Sequence, residues 1–294
     1  MKIIFMGTPE FARICLQGLI DSGHEILAVV TQPDRPAGRG KKLQMSAVKE
    51  YALTLGLPIL QPERANRGDF PVRLEALKAD IFVVAAFGQI LSQKVLDIPK
   101  FGAINVHASL LPKYRGAAPI QQAILDGETV TGVTIMQMDK GMDTGDMLLK
   151  SEVEITAADT GGSLHDKLCA IAPEALLAAL SKIEKGIARP EKQDSAHATY
   201  APMITKEMAR IDFRKTPQDI VNLVRGYNPF PVATAEVEGK ILKVWQAAVS
   251  DGEPGMCPKD GIFVQAHGGT VQLIEITPQG GKKMPSADYV RGLK

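Results

Sequence analysis

Two residues in GAINVHASLLPKYRGAAP (102–119) could act together on one oxygen. Asn105 and His107 stand two apart in a run that reads as a strand, so both project to one face, while Ile104 and Val106 project to the other. An asparagine amide donates hydrogen bonds without carrying charge; a histidine stabilises an oxyanion or carries a proton near neutral pH. Neither is a strong nucleophile, and no Ser or Cys sits beside them in a nucleophile elbow. The pair therefore favours direct group transfer over a covalent enzyme intermediate. A plainer reading fits the same two positions: a strand-end histidine bonded for structure and an asparagine that forms a turn. The second piece is MDKGMDTGDML (138–148), which places Asp139, Asp143 and Asp146 among Gly141 and Gly145. Such acidic, glycine-bearing stretches are ordinarily turns or metal loops. The spacing misses the calcium-loop pattern, and the chemical alternative is a single carboxylate, Asp143, that orients His107 or moves a proton.

These residues need a scaffold, and the chain alternates short apolar runs with amphipathic stretches. KIIFMG (2–7), EILAVVT (25–31), Pro58 to Leu60, DIFVVAAFG (80–88) and GAINVH (102–107) read as buried strands. Thr8 is expected to cap a first helix, with Pro9 and Glu10 in its opening turn, and Ser46 to cap a second carrying Val48, Ala52 and Leu55 on one face. Buried strands alternating with helices imply an α/β fold with a doubly wound, mostly parallel sheet, Rossmann-like, whose ligands sit at the carboxyl ends of the strands. The dinucleotide function of that fold is not expected: the first turn, MGTPEFA, has the single glycine Gly7, and no GxxxxGK[ST] follows anywhere, so neither NAD nor ATP has its phosphate cradle.

VTGVTIMQM (130–138) and DMLLKSEVEI (146–155) read as further strands, and a long helix is predicted over 159–185. The pattern divides the chain into a catalytic domain over 1–188, a linker over 189–207 and a C-terminal domain over 208–294. In the last part Thr216 and Pro217 open a helix over 216–225, and ATAEVEG, KILKVWQAA, GIFVQAH and TVQLIEI suggest a small antiparallel barrel or sandwich. RGYNPFPVA (225–233) reads as a packing loop built on Tyr227 and Phe230.

With 294 residues, 45% hydrophobic and 23% charged, the chain is neither disordered nor fibrous. A net charge of +1 argues against coating nucleic acid by bulk charge but leaves room for a local basic patch. No apolar run reaches the ~18 residues of a membrane span, and MKIIFMGTPE is too short for a signal peptide, so a cytoplasmic protein without membrane contact is expected. Cys15, Cys169 and Cys257 show no CxxC spacing and the histidines no cluster, so neither a disulfide framework nor a metal is expected. The basic patch is in TQPDRPAGRGKKLQ (31–44), where Arg35, Arg39, Lys41 and Lys42 face one acid, Asp34. Glycines and prolines make this an exposed loop, either simply solvated or gripping phosphates and unpaired bases.

Taken together, FMGTPEFA, TQPDRPAGRGKKL (31–43), INVHASLLPKYRGAAPIQ (104–121) and TGVTIMQMDKGMDTGDML (131–148) resemble the folate-dependent formyltransferases along essentially the whole chain. The resemblance implies that Asn105, His107 and Asp143 are a catalytic triad and that Ser109, Leu110, Leu111 and Pro112 contact the folate. Phe87, Gly88, Gln89, Ile90 and Leu91 match the loop near the pterin. The implied reaction moves the formyl group of 10-formyltetrahydrofolate to the α-amino group of initiator methionyl-tRNA. Asn105 and His107 would stabilise the oxyanion, and Asp143 would hold His107 and relay the proton through water. Arg35, Arg39, Lys41 and Lys42 would bind the tRNA acceptor stem, with Arg39 foremost. The C-terminal domain would be an OB-like small β-barrel, its Lys240, Lys243, Lys282 and Lys283 touching phosphates. A monomer using no NAD and no metal is implied. Since the triad identifies the donor and not the acceptor, an amino sugar nucleotide or water as acceptor stays open, as does a non-catalytic RNA-binding protein.

Overall fold

The computed structural model describes residues 1–37 and 42–293, without the side chains of Ala37 and Lys42. Two compact units interleave along the sequence: Met1–Gly116, Gly132–Val153 and Lys167–Tyr200 form the first, and Ala117–Thr131, Glu154–Asp166 and Ala201–Lys294 the second.

The first unit is built on β1 (Lys2–Gly7), α1 (Glu10–Asp21), β2 (Glu25–Val30), β3 (Arg35–Ala37), β4 (Lys42–Gln44), α2 (Ala47–Thr54), β5 (Ile59–Leu60), α3 (Phe70–Ala76), β6 (Ile81–Ala85), α4 (Gln93–Leu96), β7 (Ala103–His107) and β8 (Arg115–Gly116). The chain continues through α5 (Pro119–Leu125), β9 (Val130–Gln137), β10 (Met147–Glu154), α6 (Gly161–Glu184) and β11 (Tyr200–Ala201). One seven-stranded sheet runs β10-β9-β7-β6-β1-β2-β5. Its β5, β2, β1, β6 and β7 are parallel, and β9 returns antiparallel beside β7. All five residues of β6 are buried, as a central strand covered on both faces requires. Ile4, Met6, Val30, Phe82 and Val84 meet Phe70, Leu74, Val95 and Leu96 in one apolar layer. Across the other layer α1 lies against α6: a Cβ on Gly18 would stand 2.7 Å from the Pro173 ring, so only glycine admits that contact.

Ser46 caps α2 as its position suggests, its hydroxyl accepting from Lys49 N at 3.0 Å, and it also bonds the buried Thr31 hydroxyl at 2.7 Å. Leu55 is the residue after that helix and is largely exposed, so it does not share the buried face. Thr8 does not cap α1. Pro9 takes the capping position, and the Thr8 hydroxyl donates instead to Phe87 O at 3.1 Å, tying the first turn to the loop after β6.

The second unit contains α7 (Pro217–Gly226), β12 (Ala233–Val237), β13 (Lys240–Ser250), β14 (Gly255–Cys257), β15 (Gly261–Ala266), β16 (Gly269–Pro278), β17 (Met284–Pro285) and α8 (Ser286–Arg291). Its antiparallel sheet runs β12-β13-β16-β15-β14, with β17 on β16. Thr216 caps α7 through Asp219 N at 3.2 Å, and Ile220 and Val224 from that helix enter a core with Val244, Leu273 and Ile276. Tyr227 is buried, but Phe230, between Pro229 and Pro231, is 67% exposed and is not the buried packing residue the sequence suggests.

Ser46→Ala removes a helix cap and leaves the buried Thr31 hydroxyl without that partner. It should lower the unfolding free energy by about 1–3 kcal/mol, read as a lower denaturant midpoint at unchanged slope.

Candidate active site

Asn105 and His107 lie on β7 at its carboxyl end, between parallel β6 and antiparallel β9. His107 is 5% exposed and Asn105 half-buried. The loop joining β9 to β10 brings Asp143 to both. Its Oδ1 lies 3.4 Å from Asn105 Nδ2 and 3.6 Å from His107 Nδ1, while its Oδ2 accepts from Gly116 N at 2.8 Å. Two segments far apart in sequence thus meet at one carboxylate oxygen.

Both contacts to Oδ1 are longer than the usual N–H···O distance, so neither donor is tightly spent. The other ring nitrogen is committed: Nε2 lies 2.9 Å from Tyr114 O, and since a carbonyl only accepts, Nε2 carries a proton. A proton on Nδ1 would point toward the space shared by Asp143 and the Asn105 amide. A substrate oxygen arriving there meets the Asn105 amide and, when the ring carries a second proton, Nδ1–H as convergent donors. Asp143 reaches this position with φ +54°, a left-handed backbone that Asp adopts more readily than most residues. Gly145 is required nearby, because a Cβ there would overlap Gln137 O.

The block after His107 is mostly self-bonded. Ser109 is fully buried, its hydroxyl donating to Lys113 O at 2.6 Å and its carbonyl accepting from Thr134 Oγ1 at 2.7 Å; Thr134 Oγ1 in turn accepts from Leu111 N at 3.1 Å. Leu111 packs with Met136 and Met147. Surface for a ligand is thus left to half-buried Leu110 and Pro112 and to the main chain. In the loop after β6, Phe87 and Leu91 belong to the apolar core, while Gly88 is exposed and Ile90 is 78% exposed. The Gln89 amide is consumed structurally, accepting from Ala65 N at 2.8 Å and donating to Pro62 O at 3.0 Å.

The basic segment is not a plain loop. β3 and β4 pair antiparallel, Arg35 opposite Gln44 and Ala37 opposite Lys42, forming a hairpin. Arg39 and Lys41 lie outside the described residues, as does the Lys42 side chain. Arg35 is exposed, 4.0 Å from Glu63. The segment's one acid, Asp34, is neutralised at the hairpin base by Lys49 Nζ at 2.6 Å and accepts from Gln61 Nε2 at 2.8 Å. The bonds from Lys49 and Gln61 hold its carboxyl below the usual carboxylate range. The C-terminal lysines Lys240, Lys243, Lys282 and Lys283 are all exposed, and Lys283 also pairs with Glu275 at 2.7 Å and lies over the Trp245 ring. Among the described residues no group of His, Cys, Asp and Glu could hold a metal ion.

Sequence reasoning passed over Gln193 and Arg115. Gln193 lies in the expected linker, yet its Nε2 donates to Asp143 O at 2.8 Å and Gly145 O at 2.7 Å. Arg115 stands inside a quoted motif, but nothing in its spacing shows that it is buried against Gln193.

A mostly parallel sheet with Asn105 and His107 at the carboxyl end of β7 and Asp143 brought to them by a loop defines the class of scaffold. The chain belongs to the formyl transferase family: residues 1–180 match the "Formyl transferase" family model and residues 203–294 that of "Formyl transferase, C-terminal domain". Among curated relatives it is similar to the methionyl-tRNA formyltransferases of Agathobacter rectalis (47% identical, covering 99% of this chain and 96% of the relative) and Bacillus licheniformis (49%, covering 99% and 95%). Among solved structures it is similar to an N-formyltransferase from Helicobacter canadensis in complex with folinic acid and dTDP-3-aminofucose (TM-score 0.71, 19% identical, covering 97% and 100%). It is also similar to a methionyl-tRNA formyltransferase from Clostridium thermocellum (TM-score 0.60, 16% identical, covering 86% and 95%). At those identities the two structures speak to the fold.

Because Lys49 lowers the Asp34 carboxyl, the stability this pair adds is present above the ordinary carboxylate pKa and is lost as pH falls through the lowered one. Lys49→Met should move the Asp34 titration, followed by NMR, up toward the ordinary carboxylate range. It should also let hydrogen exchange at the hairpin base rise at higher pH than in the parent.

Proposed function

We propose that this chain transfers the formyl group of 10-formyltetrahydrofolate to the α-amino group of initiator methionyl-tRNA. The observation that carries the chemistry is the convergence of Asn105 and His107 on Asp143 Oδ1 over two long, redirectable contacts. The relatives named methionyl-tRNA formyltransferase, similar over nearly the whole chain, carry the choice of acceptor.

Attack of the amino nitrogen on the formyl carbon forms a C–N bond and moves the carbonyl pair onto oxygen. In the doubly protonated ring of His107, Nδ1–H and Asn105 Nδ2 meet that oxyanion, while Nε2–H on Tyr114 O keeps the ring oriented. Asp143 balances the charge on the ring and takes the proton that the attacking nitrogen sheds. As the carbonyl re-forms, the bond to the folate nitrogen breaks and that nitrogen receives the proton. No covalent bond to the protein is made. The main chain of Ser109 to Pro112, with the Leu110 and Pro112 side chains, lines the folate site on one side. The loop Phe87–Leu91 lines it on the other through Gly88 and Ile90, with Phe87, Gln89 and Leu91 holding the loop's shape. Arg35, Arg39, Lys41 and Lys42 of the basic segment contact the tRNA acceptor stem, and exposed lysines of the second unit its backbone. The division into a catalytic part (1–188), a linker (189–207) and an RNA-binding part (208–294) is part of this reading. So are a monomeric state and a cytoplasmic location. No helix among the described residues is long and apolar enough to cross a membrane.

Removing one oxyanion donor typically costs about 10²–10³ in turnover. Asn105→Ala should lower kcat for formyl transfer to methionyl-tRNA by that factor with folate binding retained; turnover within a few-fold of the parent would refute the assignment. If the four cations of segment 31–43 touch phosphates, tRNA affinity should fall about 10²-fold between 50 and 200 mM salt, and less steeply in Arg39→Ala. A flat salt dependence, measured by filter binding, would contradict this RNA contact.

A further inference from the structure

The Asp143 loop is held from behind by a side-chain relay that the proposed chemistry does not itself require. The Gln193 amide has two N–H donors and two acceptor lone pairs, and all four are used. Nε2 donates to Asp143 O at 2.8 Å and Gly145 O at 2.7 Å. Oε1 accepts from Arg115 Nε at 3.0 Å and Nη2 at 2.8 Å. Arg115 is 3% exposed, and a neutral amide rather than a carboxylate is its partner. The next residue, Gly116, donates its N–H to Asp143 Oδ2 at 2.8 Å. Segment 191–193 is itself pinned, because Glu191 and Met147 exchange main-chain bonds at 2.8 Å each way beside the start of β10. Asp143 is thus gripped at its own carbonyl by Gln193 and at its carboxylate by the Arg115–Gly116 strand, while its backbone stays left-handed at φ +54°.

We propose that Gln193, backed by Arg115, is a positioning residue that fixes where Asp143 Oδ1 stands relative to Asn105 and His107. The residue type follows from the geometry. Only an amide accepts from a guanidinium and donates to two carbonyls at once. A glutamate would keep Arg115 paired but turn an acceptor toward two carbonyl oxygens, freeing the loop. A methionine of the same length would lose both sides. Misplacing a reacting group by about 1 Å costs up to roughly 10²-fold in rate, so the effect belongs in turnover and not in binding.

The proposal rests on Asp143 belonging to the reacting site, and the test separates the two. Formyl transfer to methionyl-tRNA from 10-formyltetrahydrofolate is measured under single-turnover conditions for Gln193→Glu and Gln193→Met. Each is made in the parent and in Asp143→Asn, a background that keeps the side-chain shape and tolerates the left-handed backbone. In the parent background both should lose about tenfold to a hundredfold in single-turnover rate, with both KM values, from separate steady-state assays, within threefold and the thermal midpoint of Gln193→Glu close to the parent's. In Asp143→Asn, the same changes should cost less than twofold. Equal losses in both backgrounds, or a loss carried by KM, would make Gln193 a merely structural residue and overturn the proposal. If Asp143→Asn abolishes turnover while the Gln193 variants keep the parent's, only the clamp falls. If Asp143→Asn itself turns over like the parent, the assignment of Asp143 falls and takes the clamp with it.

Discussion

The site depends on one carboxylate oxygen. Asp143 Oδ1 is the point at which an uncharged amide and an imidazole converge, at 3.4 and 3.6 Å. A low-dielectric pocket makes such an arrangement worth more than in water, provided its members do not have to reorganise when charge develops. Here the imidazole is fixed by Tyr114 O on its far nitrogen and the carboxylate by Gly116 N on its far oxygen. What is left adjustable is the pair of long contacts in the middle, where a substrate oxygen would be received.

Rigid supports surround that adjustable centre. β7 is held by β6 on one side and β9 on the other, so Asn105 and His107 sit on the sheet and not on a loop. The loop carrying Asp143 is shaped by Gly145, which admits the close approach of Gln137 O, and is closed by Gln137 N on Asp146 O at 2.8 Å. Loops that bear reacting groups are ordinarily the mobile part of a fold; this one is fastened to the sheet at its base and to Gln193 along its length. At the hairpin, by contrast, one firm ion pair between Asp34 and Lys49 anchors the base.

Much of this was legible in the residues, for reasons of period and punctuation. The strand alternation put Asn105 and His107 on one face, an unbroken apolar run marked β6 as buried on both sides, and Ser46 and Thr216 announced their helices. Thr8 misled because its hydroxyl found a tertiary partner, Phe87 O, that no local pattern encodes. The hairpin of β3 and β4 was hidden because glycine, proline and charge suggested a loop while each strand has only three residues. α5, seven residues long, gives too few turns to display a helical period. Gln193 could not be found at all from sequence: its meaning lies in four hydrogen bonds to residues 48 or more positions away. The interleaving of the two compact units was invisible for the same reason, since contact between distant segments leaves no local signature.

The most direct test of the account offers the purified protein 10-formyltetrahydrofolate with three acceptors in parallel: initiator methionyl-tRNA, an amino sugar nucleotide and water alone. Formylmethionyl-tRNA should accumulate in the first reaction, with no comparable loss of formyl-folate in the other two. Equal or faster consumption of the donor with the sugar nucleotide, or with no acceptor added, would contradict the assigned acceptor.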